Sequence, residues 1–123
     1  MRSEERLAHN AETSEKAIER HLVKRMRETG GKALKYASAT QTGYPDRVCL
    51  FPGGITVWVE LKGVGGRLTR LQATRIGELR RMGHMATVCR SVEDVERLLK
   101  LARVPVLARV EYSLRESDGV QGA

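Results

Sequence analysis

Two carboxylates and a lysine occupy positions that a β-hairpin would bring together. Asp46 directly precedes one strand-like run, and Glu60 and Lys62 close the next one. Side chains alternate across a strand, so Glu60 and Lys62 project from the same face. If Phe51 pairs with Ile55 across a three-residue loop, Asp46 lies opposite Glu60, with Cβ atoms about 4.5–5.5 Å apart. A two-residue loop would shift the register by one residue and break this arrangement.

Such a group of side chains suits metal-assisted hydrolysis of a phosphodiester. Two carboxylates that face each other destabilise a sheet, and a divalent cation between them removes that penalty. Carboxylate oxygens are hard ligands for Mg²⁺ or Mn²⁺, which also bridge phosphate oxygens and activate water. Lys62 on the same face can orient or help deprotonate the water and neutralise the phosphate. The alternative interpretation is a surface aspartate plus an ordinary Glu–Lys pair at the end of a hairpin.

The net charge favours a polyanionic partner. The chain of 123 residues carries 22 Lys and Arg against 15 Asp and Glu, which gives a net charge of +7. This excess favours nucleic acid through phosphate neutralisation, although a basic surface without a special partner has the same balance. A non-catalytic nucleic-acid-binding or accessory protein is therefore the alternative function. The complete set of Asp46, Glu60 and Lys62 favours catalysis, because binding alone would not require it.

Nothing in the sequence predicts a secreted or membrane-bound protein. Cys49 and Cys89 lie far apart inside apolar runs without metal-ligand spacing, and we expect both to be buried and reduced. The first residues are charged and lack the apolar stretch of a signal peptide. No apolar run reaches membrane-spanning length. We therefore expect a cytoplasmic protein with no membrane partner.

Apolar periodicity, capping residues and glycines divide the chain into seven elements. The first helix begins after Ser14, a good N-cap, and the glycines at 30–31 end it. The clearest hairpin surrounds the Pro-Gly-Gly loop at 52–54. The predicted elements are a helix from 14, strands over 34–39, 47–51 and 55–61, a helix over 69–82, a strand over 85–89 and a helix from 91.

This order is αβββαβα, an α/β fold with a central mixed β-sheet flanked by helices. We expect a flexible N-terminus over 1–13, one domain over 14–103, and a C-terminal extension over 104–123. The apolar residues 104–110 of that extension are a candidate contact between subunits. In the second helix, the residues predicted to face inward are Leu68, Leu71, Ile76, Leu79 and Met82.

The ordered series of motifs resembles the VRR-NUC family of virus-type replication–repair nucleases, within the PD-(D/E)xK superfamily. The resemblance spans roughly residues 14–99 and is strongest at GYPD (43–46), ELK (60–62) and LTRLQ (68–72). It implies a restriction-endonuclease-like core and endonuclease activity on DNA. It also implies Mg²⁺ as the cofactor, with Mn²⁺ able to substitute.

The resemblance assigns roles to individual residues. Asp46 and Glu60 would ligate the metal together with the backbone carbonyl of Leu61, and Lys62 would be the catalytic lysine. Gln72 would lie near the metal or the DNA, although its position equally suits a helix capping box.

The family also implies an acidic residue from the first helix. Glu15 and Glu19 are both candidates, because residues four apart share a helix face. Glu15 is preferred from its place at the helix start, and a solvated helix charge is the alternative for either. The basic residues expected to contact DNA are Lys35, Arg67, Arg70 and Arg75.

The expected substrate is branched DNA such as a Holliday junction, cut according to its structure and not its sequence. One small site per chain would need a second copy for two symmetric nicks, so a homodimer is expected. The resemblance further suggests a bacterial or phage-infected cell as the setting.

Overall fold

The computed structural model describes residues 14–102, and they follow the predicted order αβββαβα. The predictions for 1–13 and 103–123, including the apolar segment 104–110, lie outside the described residues. None of the described helices is long and apolar enough to cross a membrane. The elements are α1 (Glu15–Glu28), β1 (Lys32–Lys35), β2 (Arg47–Phe51), β3 (Ile55–Leu61), α2 (Arg70–Arg81), β4 (Met85–Cys89) and α3 (Val92–Leu101).

The four strands form one mixed sheet in the order β1-β2-β3-β4. The pairs β1–β2 and β2–β3 are antiparallel, and β3 lies parallel to β4. The β2–β3 hairpin pairs Phe51 with Ile55 and Arg47 with Val59, so the register predicted for a three-residue loop is confirmed. Gly53 and Gly54 both have positive φ, which this tight loop requires.

Strand β1 differs from the prediction, since it spans Lys32–Lys35 and not 34–39. It begins earlier because Lys32 and Ala33 pair with Leu50 and Cys49 of β2, and the edge position lets Lys32 remain in solvent. It ends earlier because the Ser38 hydroxyl accepts the backbone N–H of Gln41 at 3.0 Å, which turns the chain away from the sheet. One further ladder bond joins the Tyr36 N–H to the Asp46 carbonyl at 2.7 Å.

Helices α1 and α3 cover one face of the sheet, where the larger core lies. The apolar stripe Ile18, Leu22 and Met26 of α1 is fully buried there, as predicted. Cys49 and Cys89 are buried in the same core and form no disulfide with each other. Burial raises the pKa of the Cys49 thiol to about 12, so this group is not a reactive thiol, and the Cys89 side chain is 1% exposed.

Helix α2 covers part of the other face through a smaller core that includes Ile76 and Leu79. The inward orientation predicted for Leu71 and Met82 is wrong, since these side chains are 42% and 59% exposed. Ala73 is buried in their place, because the buried stripe of α2 runs through every third residue, Ala73, Ile76 and Leu79.

Leu71 instead packs over Gly43 in the loop that leads to Asp46. A Cβ atom added to Gly43 would lie 2.5 Å from the Leu71 Cγ, and the φ of Gly43 is +90°. Only glycine combines this backbone conformation with so close a contact. The loop is thereby pressed against the start of α2.

Candidate active site

Glu60 is a buried carboxylate near the end of the central strand β3. It is 2% exposed, and among the described residues its Oε2 atom has no hydrogen-bond partner. Its Oε1 accepts a hydrogen bond from Gln72 Nε2 at 3.2 Å and lies 3.8 Å from Lys62 Nζ. An ionised carboxylate in such a position is costly unless a positive charge compensates it.

The pKa of Glu60 reflects this environment. Burial raises it from its ordinary value of 4.5 to about 7, and the charge of Asp46 contributes next. Lys62 acts in the opposite direction because its positive charge favours the ionised carboxyl. Burial and the charge of Asp46 together thus outweigh the effect of Lys62 on this carboxyl.

Asp46 lies at the solvent side of the same site. It directly precedes β2, one step beyond the Arg47–Val59 pair, and this register places it across from Glu60 as predicted. Its side chain is exposed. The two carboxylates thus combine one solvent-accessible group with one buried group.

Leu61 and Lys62 follow Glu60 at the point where β3 ends. The Lys62 N–H donates to the Cys89 carbonyl at 3.1 Å, which extends the parallel ladder by one bond and fixes the backbone. The side chain of Lys62 is only 16% exposed, so its ammonium group is held near Glu60. The predicted grouping of Asp46, Glu60 and Lys62 is therefore present in the fold.

Gln72 completes the capping box and also contacts the candidate site. Its Oε1 accepts the Thr69 N–H at 2.9 Å, and its backbone N–H donates to the Thr69 hydroxyl at 3.1 Å, which completes a capping box. Its Nε2 remains free to donate to Glu60. The capping box thus orients the amide so that its donor end points into the site.

The two acidic candidates of α1 differ in their surroundings. The charge of Glu15 makes a small contribution to the raised pKa of Glu60, which is consistent with a position within electrostatic range of the site. The Glu19 carboxylate is instead bound by Arg47, with nitrogen–oxygen distances of 3.1 and 3.3 Å. Arg47 also donates to the Ala33 carbonyl, which makes Glu19 part of a structural ion pair.

The donor set fits a divalent cation of the Mg²⁺ type. The partnerless Oε2 of Glu60 and the nearby charge of Asp46 form an acidic centre that a cation would compensate. Within residues 14–102, no group of three or more His, Cys, Asp or Glu side chains is arranged to hold a metal by itself. Mg²⁺ suits so small a set, because it keeps several waters and commonly uses one or two carboxylates plus phosphate oxygens.

The four predicted DNA-binding residues differ in their surroundings. Lys35, Arg67 and Arg70 are exposed. Arg75 is engaged within the protein: Nε donates to the Thr42 carbonyl at 3.0 Å, and the guanidinium lies 4.7 Å from the ring centre of Tyr44. Arg75 therefore holds the loop before Asp46, and contact with DNA remains a prediction for all four residues.

Sequence reasoning missed a cluster of three aromatic rings beside Asp46. Tyr36 lies 5.1 Å from Trp58 and 6.3 Å from Tyr44, measured between ring centres, in edge-to-face geometry. The Tyr44 hydroxyl donates to Glu78 at 2.5 Å. The register of β1 against β2 would have indicated that Tyr36 lies near Tyr44 and Trp58, but the sequence did not predict that register.

A second feature that the sequence did not reveal anchors the glycine-rich connector after Lys62. Arg90, just beyond β4, donates from its guanidinium to the Gly66 carbonyl. Its own backbone N–H donates to the Asp94 carboxylate at 2.8 Å. The connector is thereby tied to the start of α3.

Comparison with known proteins gives two informative similarities. No family model matches the sequence. "Putative nuclease p44" of Acyrthosiphon pisum secondary endosymbiont phage 1 is 36% identical over 85 residues, which cover 69% of this chain and 90% of the phage protein. A solved structure described as "VRR_NUC domain" matches with a TM-score of 0.66 and 24% identity, over 72% of this chain and 96% of that one. The second similarity shows the fold.

Proposed function

This chain belongs to the VRR-NUC family, and from this premise we propose that it is a nuclease that hydrolyses DNA phosphodiester bonds with a divalent metal ion. The observation that carries the proposal is the buried Glu60 carboxylate, which has a partnerless oxygen and stands across from Asp46. An arrangement that is unfavourable for stability is expected where function requires it.

Each residue has a distinct part in the proposed reaction. Asp46 and Glu60, with the backbone carbonyl of Leu61, would hold Mg²⁺ or Mn²⁺. When bound, such an ion lowers the pKa of a water and neutralises charge on the phosphate. Gln72 occupies Oε1 of Glu60 and so leaves Oε2 available. Lys62 supplies a positive charge at the site, where it can orient the attacking water or take its proton.

The proposed substrate is branched DNA, with a four-way junction as the first candidate. The net charge of +7 supports a DNA partner. A junction is resolved by two symmetric nicks, and two copies of a single-site chain supply them, so we propose a homodimer. The solution mass of the full chain, compared with a variant that ends at residue 103, tests whether the apolar segment 104–110 makes the contact. A monomeric mass for the full chain would exclude the homodimer.

Cleavage of labelled DNA tests the nuclease proposal directly. Four-way junction, flap and linear duplex are incubated with Mg²⁺, Mn²⁺ or EDTA, and the wild type is compared with Asp46→Asn and Lys62→Ala. We expect metal-dependent cleavage that falls about 10²-fold or more in both variants, since each loses a group of the reacting site. Glu93→Gln, at an exposed position of α3, is the matched control and should cut normally.

Two results would defeat the catalytic proposal. One is that the wild type cleaves none of the substrates with either metal. The other is that the wild type and both site variants cleave equally well. DNA binding measured in parallel separates affinity from chemistry, because a variant that binds but does not cut has lost only the reaction.

A further inference from the structure

A cleft of about 180 Å³ opens directly beside Asp46. The loop between β1 and β2 forms most of its wall, and its lining residues are Tyr36, Ala37, Ser38, 41–44 and Asp46. Since Asp46 belongs to both the cleft and the candidate active site, whatever occupies the cleft is adjacent to the bond that is cut.

The ring of Tyr36 forms one wall of this cleft, and neighbouring aromatic rings support it. Tyr36 is 37% exposed, while its ring is supported edge-to-face by Trp58 and Tyr44. Tyr44 is held in turn by its hydrogen bond to Glu78 and by the Arg75 guanidinium over its ring. A partly exposed ring with such support loses little conformational freedom when a ligand stacks on it.

The dimensions and charge of the cleft restrict its occupant. Its volume is below the roughly 300–1,000 Å³ of pockets that enclose drug-sized ligands, which suits a single planar ring system. Aromatic side chains accept any nucleobase, because every base has a π-face to stack on. The chain is basic overall, so a polyanion such as nucleic acid is favoured over a basic or neutral peptide.

We propose that this cleft receives one unpaired nucleobase, stacked on Tyr36, next to the phosphodiester that Asp46 and Glu60 engage. The inference rests on the proposed nuclease function and makes its substrate more specific. Bases inside a duplex stack on each other, so a base reaches Tyr36 only where it is unpaired or can be flipped out at modest cost. The chain then prefers DNA with an unpaired nucleotide at the cut over a continuous duplex.

Base stacking is tested by fluorescence of 2-aminopurine, which is quenched when the base stacks on an aromatic ring. The probe replaces one base at a time along a flap substrate, at the junction and at positions several nucleotides away. Binding is measured in a Glu60→Gln background, so that the DNA is not consumed. We expect quenching that is confined to one nucleotide next to the cut, whose position is mapped with the wild type.

Three variants in this background isolate the ring of Tyr36. Tyr36→Leu is expected to abolish the local quenching and to weaken binding of the unpaired substrate by about 5- to 150-fold, with duplex binding unchanged. Tyr36→Phe keeps the ring and should behave as the parent does. Leu34→Ala is the matched control, because Leu34 is exposed on β1, two residues before Tyr36, but lies outside the cleft.

The outcomes separate this inference from the proposed function. Equal quenching at every probe position, or equal loss of duplex and flap binding in Tyr36→Leu, would overturn the stacking site. Failure of the wild type to cut any DNA would refute the nuclease proposal instead, while the fluorescence result would still decide whether a base occupies the cleft.

Discussion

Replacement of Glu60 by glutamine should stabilise the protein at neutral pH when no metal is present. Glutamine has nearly the same shape and can still accept the hydrogen bond from Gln72, but it carries no charge. The wild type holds, at a position that is 2% exposed, a carboxyl group whose ionised form is disfavoured by burial. Residues at reacting sites often lower stability in this way, so the loss of function and the gain in stability should accompany each other.

The size of the effect follows from the pKa of Glu60. The interval between about 7 in the folded protein and the ordinary value of 4.5, at 1.36 kcal/mol per unit, corresponds to about 3 kcal/mol. The wild type has its full stability below pH 4.5, where the carboxyl is protonated in both the folded and the unfolded state. Because the pKa is raised only in the folded state, about 3 kcal/mol of this stability is lost as the pH rises from 4.5 through 7. The advantage of Glu60→Gln should therefore be near zero at pH 4 and approach about 3 kcal/mol at pH 8.

Urea denaturation from pH 4 to pH 8 in EDTA measures this difference, provided that the dependence on urea is the same for both proteins. Other groups titrate over this range in both proteins, so their contributions cancel in the comparison. Glu93→Gln serves as the control and should show no pH-dependent advantage, since Glu93 is exposed. Added Mg²⁺ at pH 8 should stabilise the wild type more than Glu60→Gln, because the ion binds the folded site.

A particular result would refute this reasoning. If the difference between Glu60→Gln and the wild type is the same at pH 4 and pH 8, burial of the charge does not destabilise the folded protein. A lower stability of Glu60→Gln at pH 8 would show that Lys62 already compensates the carboxylate without a metal.

Three further predictions concern the groups around this carboxylate. Gln72→Ala and Thr69→Ala should each lower the free energy of unfolding by about 1 kcal/mol, because each removes the capping box. Only Gln72→Ala should also slow cleavage and shift the Mg²⁺ dependence of cleavage. Equal cleavage by the two variants would assign Gln72 to capping alone. Glu15→Gln should raise the Mg²⁺ concentration needed for cleavage. Glu19→Gln should leave that concentration unchanged and lower stability, because it removes the ion pair with Arg47. The opposite pattern in a metal titration would reverse the choice between the two residues. Tyr44→Phe should lower the free energy of unfolding at pH 7, because it removes the hydrogen bond to the Glu78 carboxylate. This deficit should disappear as the pH falls through the lowered pKa of Glu78. A deficit that persists at acid pH would show that the hydrogen bond is not its source.

Much of the fold could be predicted because its signals are local. Ser14, Thr69 and Ser91 each accept a hydrogen bond from the first turn of their helices, so the helix starts were readable from single residues. The Pro-Gly-Gly loop set the register of β2 against β3, and with it the pairing of Asp46 and Glu60. Every interaction needed for these predictions lies within one helix turn or one hairpin.

The orientation of whole elements could not be read in the same way. Leu71 and Met82 match an apolar helix pattern, but the angle at which α2 crosses the sheet leaves both exposed. Glu15 and Glu19 share one face of α1, and only the position of Arg47 in the neighbouring sheet separates their roles. Such choices depend on packing between elements that are distant in the chain.

The sequence by itself thus determined the order of elements and the chemistry of the central hairpin, through caps, periodicity and one tight loop. Tertiary structure alone decided that Glu19 pairs with Arg47, how Gln72 reaches Glu60, and that Tyr36 and Tyr44 meet Trp58 beside Asp46. The physical reason is the range of the forces involved. Hydrogen bonds within a turn are set by neighbours in sequence, whereas the register of β1 and the docking of helices follow from burial summed over the whole domain.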